Sequence, residues 1–264
     1  MKLSIITINY NNLAGLKRTC ESILCQTCRD FEWIIIDGGS TDGSKELIEQ
    51  YQDYFAYWCS EPDKGIYNAM NKGIAKAKGE YLIFMNSGDY FMDFHIVEEF
   101  ANATWTEDVI VGDVAYNGNE KTIKRHPDNN NLDMDFFIYS TICHQASFIK
   151  KTLFELYGVY DECFSMSSDW KFFIEVLIIH NHSYRHWQKI IVGYNTDGMS
   201  SLAANLSKIN NERTQILNHY GRIVNPILKR NQRIQELDLP LPILIKQRVW
   251  MKIVTIFKIL MNRQ

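Results

Sequence analysis

The chain has 264 residues, 46% apolar and 22% charged, long enough to bury a sizeable α/β core. A net charge of -3 excludes the strongly basic surface of a general nucleic-acid binder, so no nucleic-acid partner is expected. Met1 and Lys2 lead directly into "LSIITINY", too short to span a bilayer and without a small-residue cleavage pattern, so no signal peptide is expected.

In chain order, "KLSIITIN" (2–9) predicts a buried strand and "LAGLKRTCESIL" (13–24) a helix. "FEWIIIDGG" (31–39) predicts a second strand and "SKELIEQYQDYF" (44–55) a second helix. A helix over 65–79 with Gly79 as its stop is followed by a strand over 80–86. Continuous apolar strands separated by helices imply a mostly parallel sheet covered on both faces, whose ligands gather at the carboxyl ends of the strands. Further strands are expected at 108–116, 142–150 and 185–195, and a serine-capped helix at 167–180. No repeat or low-complexity linker divides the chain, so one domain over 1–238 is expected, with halves at 1–105 and 106–238.

Beyond Asp238 there is no acidic residue, while Lys246, Arg248, Lys252, Lys258 and Arg263 are basic. Val249, Trp250, Ile253, Ile256, Phe257 and Leu260 share one helical face, which predicts a basic amphipathic helix over 239–264. Such a helix suits an anionic membrane surface, or else docking on its own domain or in a homodimer. Among six cysteines only Cys25 and Cys28 are closely spaced, and they end a helix rather than open one. A thiolate draws its stabilisation from a helix N-terminus, so structural thiols in a reducing cytosol are expected.

The chain has neither a P-loop nor a GxGxxG after its first strand, so phosphates must be handled by another device. A divalent metal on carboxylates is the natural candidate. The ordered segments "SIITINYNN", "IIIDGGSTDGS", "EPDKGIYNAMNKGIAKAKGEYLIFMNSGD", "CHQASFIKK" and "SSDWKFF" resemble the landmarks of family 2 glycosyltransferases, over roughly residues 1 to 200. Those are inverting enzymes of the GT-A fold that use nucleotide-sugar donors.

The resemblance implies that Thr7 and Asn9 form the edge touching the nucleobase. Asp37 matches the acid that bonds base or ribose, with Gly38 and Gly39 letting backbone approach the ligand; Asp37 and Ser40 also suit a turn and a helix cap. Asp63 matches an acid that holds the uridine, or else forms an ordinary turn before a helix; Asn71, placed with the nucleotide-binding residues, and Lys72, otherwise a solvated helix lysine, match the family's N-x-G helix. The family's Asp-x-Asp is here Asn86-Ser87-Gly88-Asp89, leaving Asp89 as its one carboxylate for Mn2+ or Mg2+. Asp169 matches the base that deprotonates the acceptor, although it also stands where an acid steadies a helix start.

His144 and Gln145 resemble a pair in one branch of the family that lines the acceptor side or orients the diphosphate; a core histidine is the alternative. Trp170 either stacks on an acceptor sugar or packs in the core, and "YNTDGMSS" (194–201) is either a lid or an ordinary loop. The expected function is transfer of a sugar from a UDP-sugar to a glycan or lipid-linked acceptor in surface polysaccharide biosynthesis. The expected place is the cytoplasm, at the inner face of a membrane. The competing readings are a catalytically inactive nucleotide-sugar binder and a nucleotidyltransferase.

Overall fold

The apolar runs of the first half become strands buried on both faces. The computed structural model describes residues 1–117, 122–196 and 203–236. The basic helix expected over 239–264 and most of the 194–201 loop therefore lie outside the described residues.

The first half comprises β1 (Leu3–Asn9), α1 (Leu13–Leu24), β2 (Phe31–Asp37), α2 (Ser44–Gln50), β3 (Tyr57–Ser60), α3 (Ile66–Lys76), β4 (Tyr81–Phe84), β5 (Tyr90–Phe91) and α4 (Ile96–Asn102). The second half comprises β6 (Val109–Tyr116), β7 (Ile123–Lys124), α5 (Met134–Tyr139), β8 (Ser147–Lys150), α6 (Lys151–Tyr157), α7 (Ser168–Phe173), β9 (Tyr184–Tyr194), α8 (Leu206–His219) and α9 (Gly221–Glu236).

Among the described residues one nine-stranded sheet runs in the order β3-β2-β1-β4-β8-β6-β9-β5, with β7 paired to β6. β3, β2, β1 and β4 are parallel, so their carboxyl ends share one edge. From β8 onward the pairing is mixed: β8 is antiparallel to β4 and to β6, whereas β6 and β9 are parallel. The antiparallel pairing of β5 with β9 brings the chain just after β4 back to the second half.

Side chains alternate across the sheet and build two cores. Ile6, Ile34 and Phe84 pack with Met70 of α3, Phe154 of α6 and Phe173 of α7. Ile5, Trp33, Ile35 and Ile83 pack with Leu16 and Cys20 of α1 and Phe100 of α4.

Two local expectations change, and the placing of Cys25 at a helix end does not. Residues 142–150 are not one strand: His144–Ala146 form a 3-10 turn and only Ser147–Lys150 are extended. The helix expected over 167–180 is α-helical to Phe173 and π-helical over Ile174–Ile179. Cys25 caps the carboxyl end of α1, and all six cysteines are free thiols.

Candidate functional site

Three neighbouring strands end on a polar row, because Asn9 pairs in register with Asp37 and Asp37 with Ser60. Asp37 accepts from Asn9 Nδ2 at 2.7 Å, from Ser40 Oγ at 2.6 Å and from Ser60 Oγ at 2.6 Å. The backbone N–H groups of Gly39 and Ser40 add two more donors. Burial alone would raise the Asp37 carboxyl; the bonds from Ser40, Ser60 and Asn9 outweigh it and hold it below the usual carboxylate range. Asp37 is thus the knot that ties the strand ends together, fully buried beneath the edge rather than on it.

What stands on the edge is Tyr10, 66% exposed, which the sequence reading did not single out. A Cβ on Gly38 would lie 2.6 Å from Asp63 Oδ2 and 3.1 Å from the Tyr10 ring, so ring, bare glycine and carboxylate bound one slot. Asp63 Oδ1 is occupied by the Gly65 N–H at 2.8 Å, which leaves Oδ2 facing that slot.

Thr7 does not reach this edge. It is buried two residues deeper along β1, and its hydroxyl accepts from Trp33 Nε1 at 3.0 Å. Asn71 is half-buried, and its amide bonds both the N–H and the carbonyl of Tyr160 and reaches Glu162. It fixes the 160–162 loop. Lys72 pairs with Glu61 at 2.7 Å.

The loop after β4 is held from α1. Thr19 Oγ1 donates to the Asp89 carbonyl at 2.7 Å and accepts from the Gly88 N–H at 2.9 Å. Asn12 Nδ2 donates to the Ser87 carbonyl at 3.0 Å. Gly88 turns with φ of 106°, in the left-handed region that glycine adopts without strain. Asp89 is thereby turned inward, where the Asn195 N–H at the end of β9 donates to its Oδ1 at 2.9 Å. Burial pushes its carboxyl up to about 7, against the Asn195 bond, the His144 ring and the Gln145 side chain.

Asp89 is one carboxylate, and the described residues contain no cluster of three or more acidic, histidine or cysteine ligands for a metal. Asn86 Oδ1, however, is buried without a hydrogen-bond partner. One carboxylate and one free amide oxygen fit a Mg2+- or Mn2+-type ion that takes its remaining ligands from phosphates and water.

Asp169, near the start of α7, is reached from two other elements. Tyr67 of α3 donates its hydroxyl to Oδ1 at 2.6 Å, and His144 Nδ1 donates to Oδ2 at 2.8 Å. With Nδ1 as donor, His144 Nε2 accepts from Asn86 Nδ2 at 3.2 Å. A hydrogen-bonded path therefore runs from Asp169 through His144 to the loop that carries Asp89. Burial would raise the Asp169 carboxyl, but the His144 and Tyr67 bonds prevail and keep it below the usual carboxylate range.

Trp170 is not available to a sugar. It is 1% exposed, and its Nε1 donates to the carbonyls of Phe137 and Ser140. The core reading of Trp170 is the correct one.

A three-layer α/β fold with its polar groups at the carboxyl edge of parallel strands is of the GT-A type. Residues 4–166 match the family model described as glycosyl transferase family 2, and the chain belongs to that family. It is 35% identical over 182 residues to an uncharacterized glycosyltransferase of Mycobacterium tuberculosis, covering 67% of this chain and 69% of that protein. It is 30% identical over 202 residues to a PGL/p-HBAD biosynthesis glycosyltransferase of Mycobacterium bovis, covering 74% and 77%. In fold it is similar to S. aureus TarS in complex with UDP, with TM-score 0.61, 17% identity, and 74% and 60% of the two chains covered. It is also similar to a mannosyltransferase from Pyrobaculum calidifontis in complex with GDP-Man and Mn2+, with TM-score 0.56, 14% identity, and 73% and 56% covered.

Proposed function

We propose that this glycosyltransferase moves a sugar, with inversion, from a UDP-sugar to a hydroxyl of a glycan or lipid-linked acceptor. The observation that carries the reading is the Asp169 carboxylate held between Tyr67 and His144, with His144 linked onward to the loop bearing Asp89. A base that attacks from one side and a diphosphate that leaves on the other must be held in a fixed relation, and this path supplies it.

The nucleobase enters the slot of Tyr10, Gly38 and Asp63, where the ring stacks and Asp63 Oδ2 accepts an N–H of the base. The UDP-bound TarS supports a UDP-type donor and the Mn2+-bound mannosyltransferase supports a divalent ion, for which Asp89 and Asn86 are the proposed residues. When bound, such an ion neutralises the departing diphosphate. Asp169, ionised at neutral pH, takes the proton of the acceptor hydroxyl as that oxygen attacks the anomeric carbon. Tyr67 and His144 keep the carboxylate aimed, and the buried wall around it limits access of water.

For the whole-chain assignments, domain 1–238 carries both substrates. The 239–264 helix would hold the enzyme at the cytoplasmic face of a membrane or join two copies. No helix among the described residues is long and apolar enough to cross a membrane.

The test is release of UDP from a panel of UDP-sugars with Mn2+, with the anomeric configuration of the product read by NMR. Asp169→Asn should lower kcat by about 10²–10⁴-fold. Binding of GDP in preference to UDP would remove the donor assignment. A retained anomeric configuration would remove the role of Asp169 as base.

A further inference from the structure

Asp169 is bordered by polar atoms that the protein leaves unused. The described residues include seven buried side-chain polar atoms without a hydrogen-bond partner. Arg213 Nε, Tyr160 OH, Ser167 Oγ and Ser168 Oγ are among them. Ser167 and Ser168 directly precede Asp169, and Tyr160 packs on Tyr67 with ring centroids 5.4 Å apart. Arg213 of α8 lies with its guanidinium 5.0 Å from the centre of the Trp170 ring.

Its position is fixed rather than incidental. The neighbouring Glu212 accepts from the N–H and hydroxyl of Ser165 and from the N–H of Met166, clamping α8 to the loop that leads into α7. Yet Arg213 itself makes no hydrogen bond or ion pair with a described residue. Asp169 acts on Arg213 through its charge without a direct bond, its two carboxylate oxygens accepting from Tyr67 and His144. The Arg213 Nε is buried without a partner while the residue as a whole is half-buried, and burial lowers its pKa, opposed by the charge of Asp169. Stacking on Trp170 offsets part of that cost but satisfies none of its N–H donors.

We propose that Arg213 is a substrate-phosphate-binding residue: its guanidinium, held on Trp170 by the Glu212 clamp, takes a phosphate of a bound substrate beside Asp169. A planar guanidinium matches two phosphate oxygens at once, which an ammonium does not. This inference rests on the reading of Asp169 as the base of a sugar transfer. The phosphate has two sources in that reaction, the diphosphate of the donor and the phosphate of a lipid-linked acceptor.

Calorimetric binding of UDP, uridine and farnesyl phosphate separates them, using the full chain as native protein, Arg213→Lys and Arg213→Gln. If the donor supplies the phosphate, Arg213→Gln weakens UDP about tenfold or more and leaves uridine unchanged. If the acceptor supplies it, farnesyl phosphate weakens instead and UDP does not. In either case Arg213→Lys recovers only part of the loss, and melting temperatures without ligand stay within a few degrees of native. Equal affinity of native protein and Arg213→Gln for both phosphate ligands overturns the proposal. A loss of melting temperature with unchanged affinities also overturns it, in favour of a purely structural arginine. Native protein that binds neither UDP nor uridine refutes the donor reading instead, and farnesyl phosphate then decides Arg213 alone.

Discussion

His144 Nδ1 stands 2.8 Å from Asp169 Oδ2, bridging a 3-10 turn before β8 and the first turn of α7. That contact sets the charge of the acid on which the proposed chemistry depends. Burial favours the neutral carboxyl and the histidine bond favours the carboxylate, so removing the bond takes away the leading effect that opposes burial, leaving the bonds from Tyr67 and the Trp170 N–H.

His144→Ala should therefore raise the Asp169 pKa, and the acid limb of the kcat/KM profile should move to higher pH. The loss relative to native protein will be greatest at low pH and will shrink as pH rises through the shifted value. His144→Gln, which keeps an N–H donor, should fall between the two. A profile displaced only in height, with its limb unmoved, would mean that His144 does not tune Asp169.

Gly38→Ala should damage nucleotide binding far more than stability. Its methyl would meet the tip of the Asp63 side chain and the exposed Tyr10 ring, both of which can move aside. The expected result is UDP affinity lower by about tenfold or more, equivalent to ~1.4 kcal/mol, with a nearly unchanged urea midpoint. Native-like affinity would place the base elsewhere.

Asp37→Asn should show the opposite pattern. The substitution removes a buried carboxylate bonded by Asn9, Ser40 and Ser60, and sets an NH2 group against surrounding donors. Hydrogen bonds to a charged group are worth about 1.5–3 kcal/mol, so an unfolding free energy lower by ~3 kcal/mol is expected from urea denaturation. An unperturbed midpoint would show that Asp37 does not tie the strand ends together.

Asp89 predicts proton-linked metal binding. Its carboxyl sits at about 7 in the folded protein against an ordinary 3.8, so the native state binds the proton more tightly than the unfolded chain. This group therefore lowers stability as pH rises from about 4 to about 7, with the full penalty above that window. A divalent cation needs the carboxylate, so Mn2+ binding at pH 6 should release close to one proton, and at pH 8 almost none. Titration calorimetry in buffers of different ionisation enthalpy measures this directly. Absence of release at pH 6 would separate Asp89 from the metal.

Much of the frame could be read from residue order. The helix expected at 13–24 is Leu13–Leu24, and the uninterrupted apolar runs at 3–9 and 31–37 are parallel neighbours. Depth along a strand was not legible in the same way. Thr7 and Asn9 share a face of β1, but two residues of rise, about 7 Å, separate the buried hydroxyl from the edge. β3 is only four residues long and half-buried, too brief to show a period.

The partners of the site were beyond sequence reasoning because they are remote. Tyr67 reaches Asp169 across 102 positions, and Asn195 reaches Asp89 across 106. Nothing local distinguishes either residue from an ordinary helix tyrosine or strand-end asparagine. Tyr10 did carry a signal, an aromatic residue immediately after a buried strand and before "NN", where a polar turn needs none.

The Glu212 clamp has a consequence for how such an enzyme diversifies. The family match ends at residue 166, three positions before Asp169, whereas the helix that grips this approach begins at Leu206. The proposed nucleotide slot thus lies within the matched portion, while α8, which grips the approach to Asp169, lies beyond it. Under the proposed reading, exchange of α8 would change what stands beside Asp169 and leave the residues of the nucleotide slot untouched.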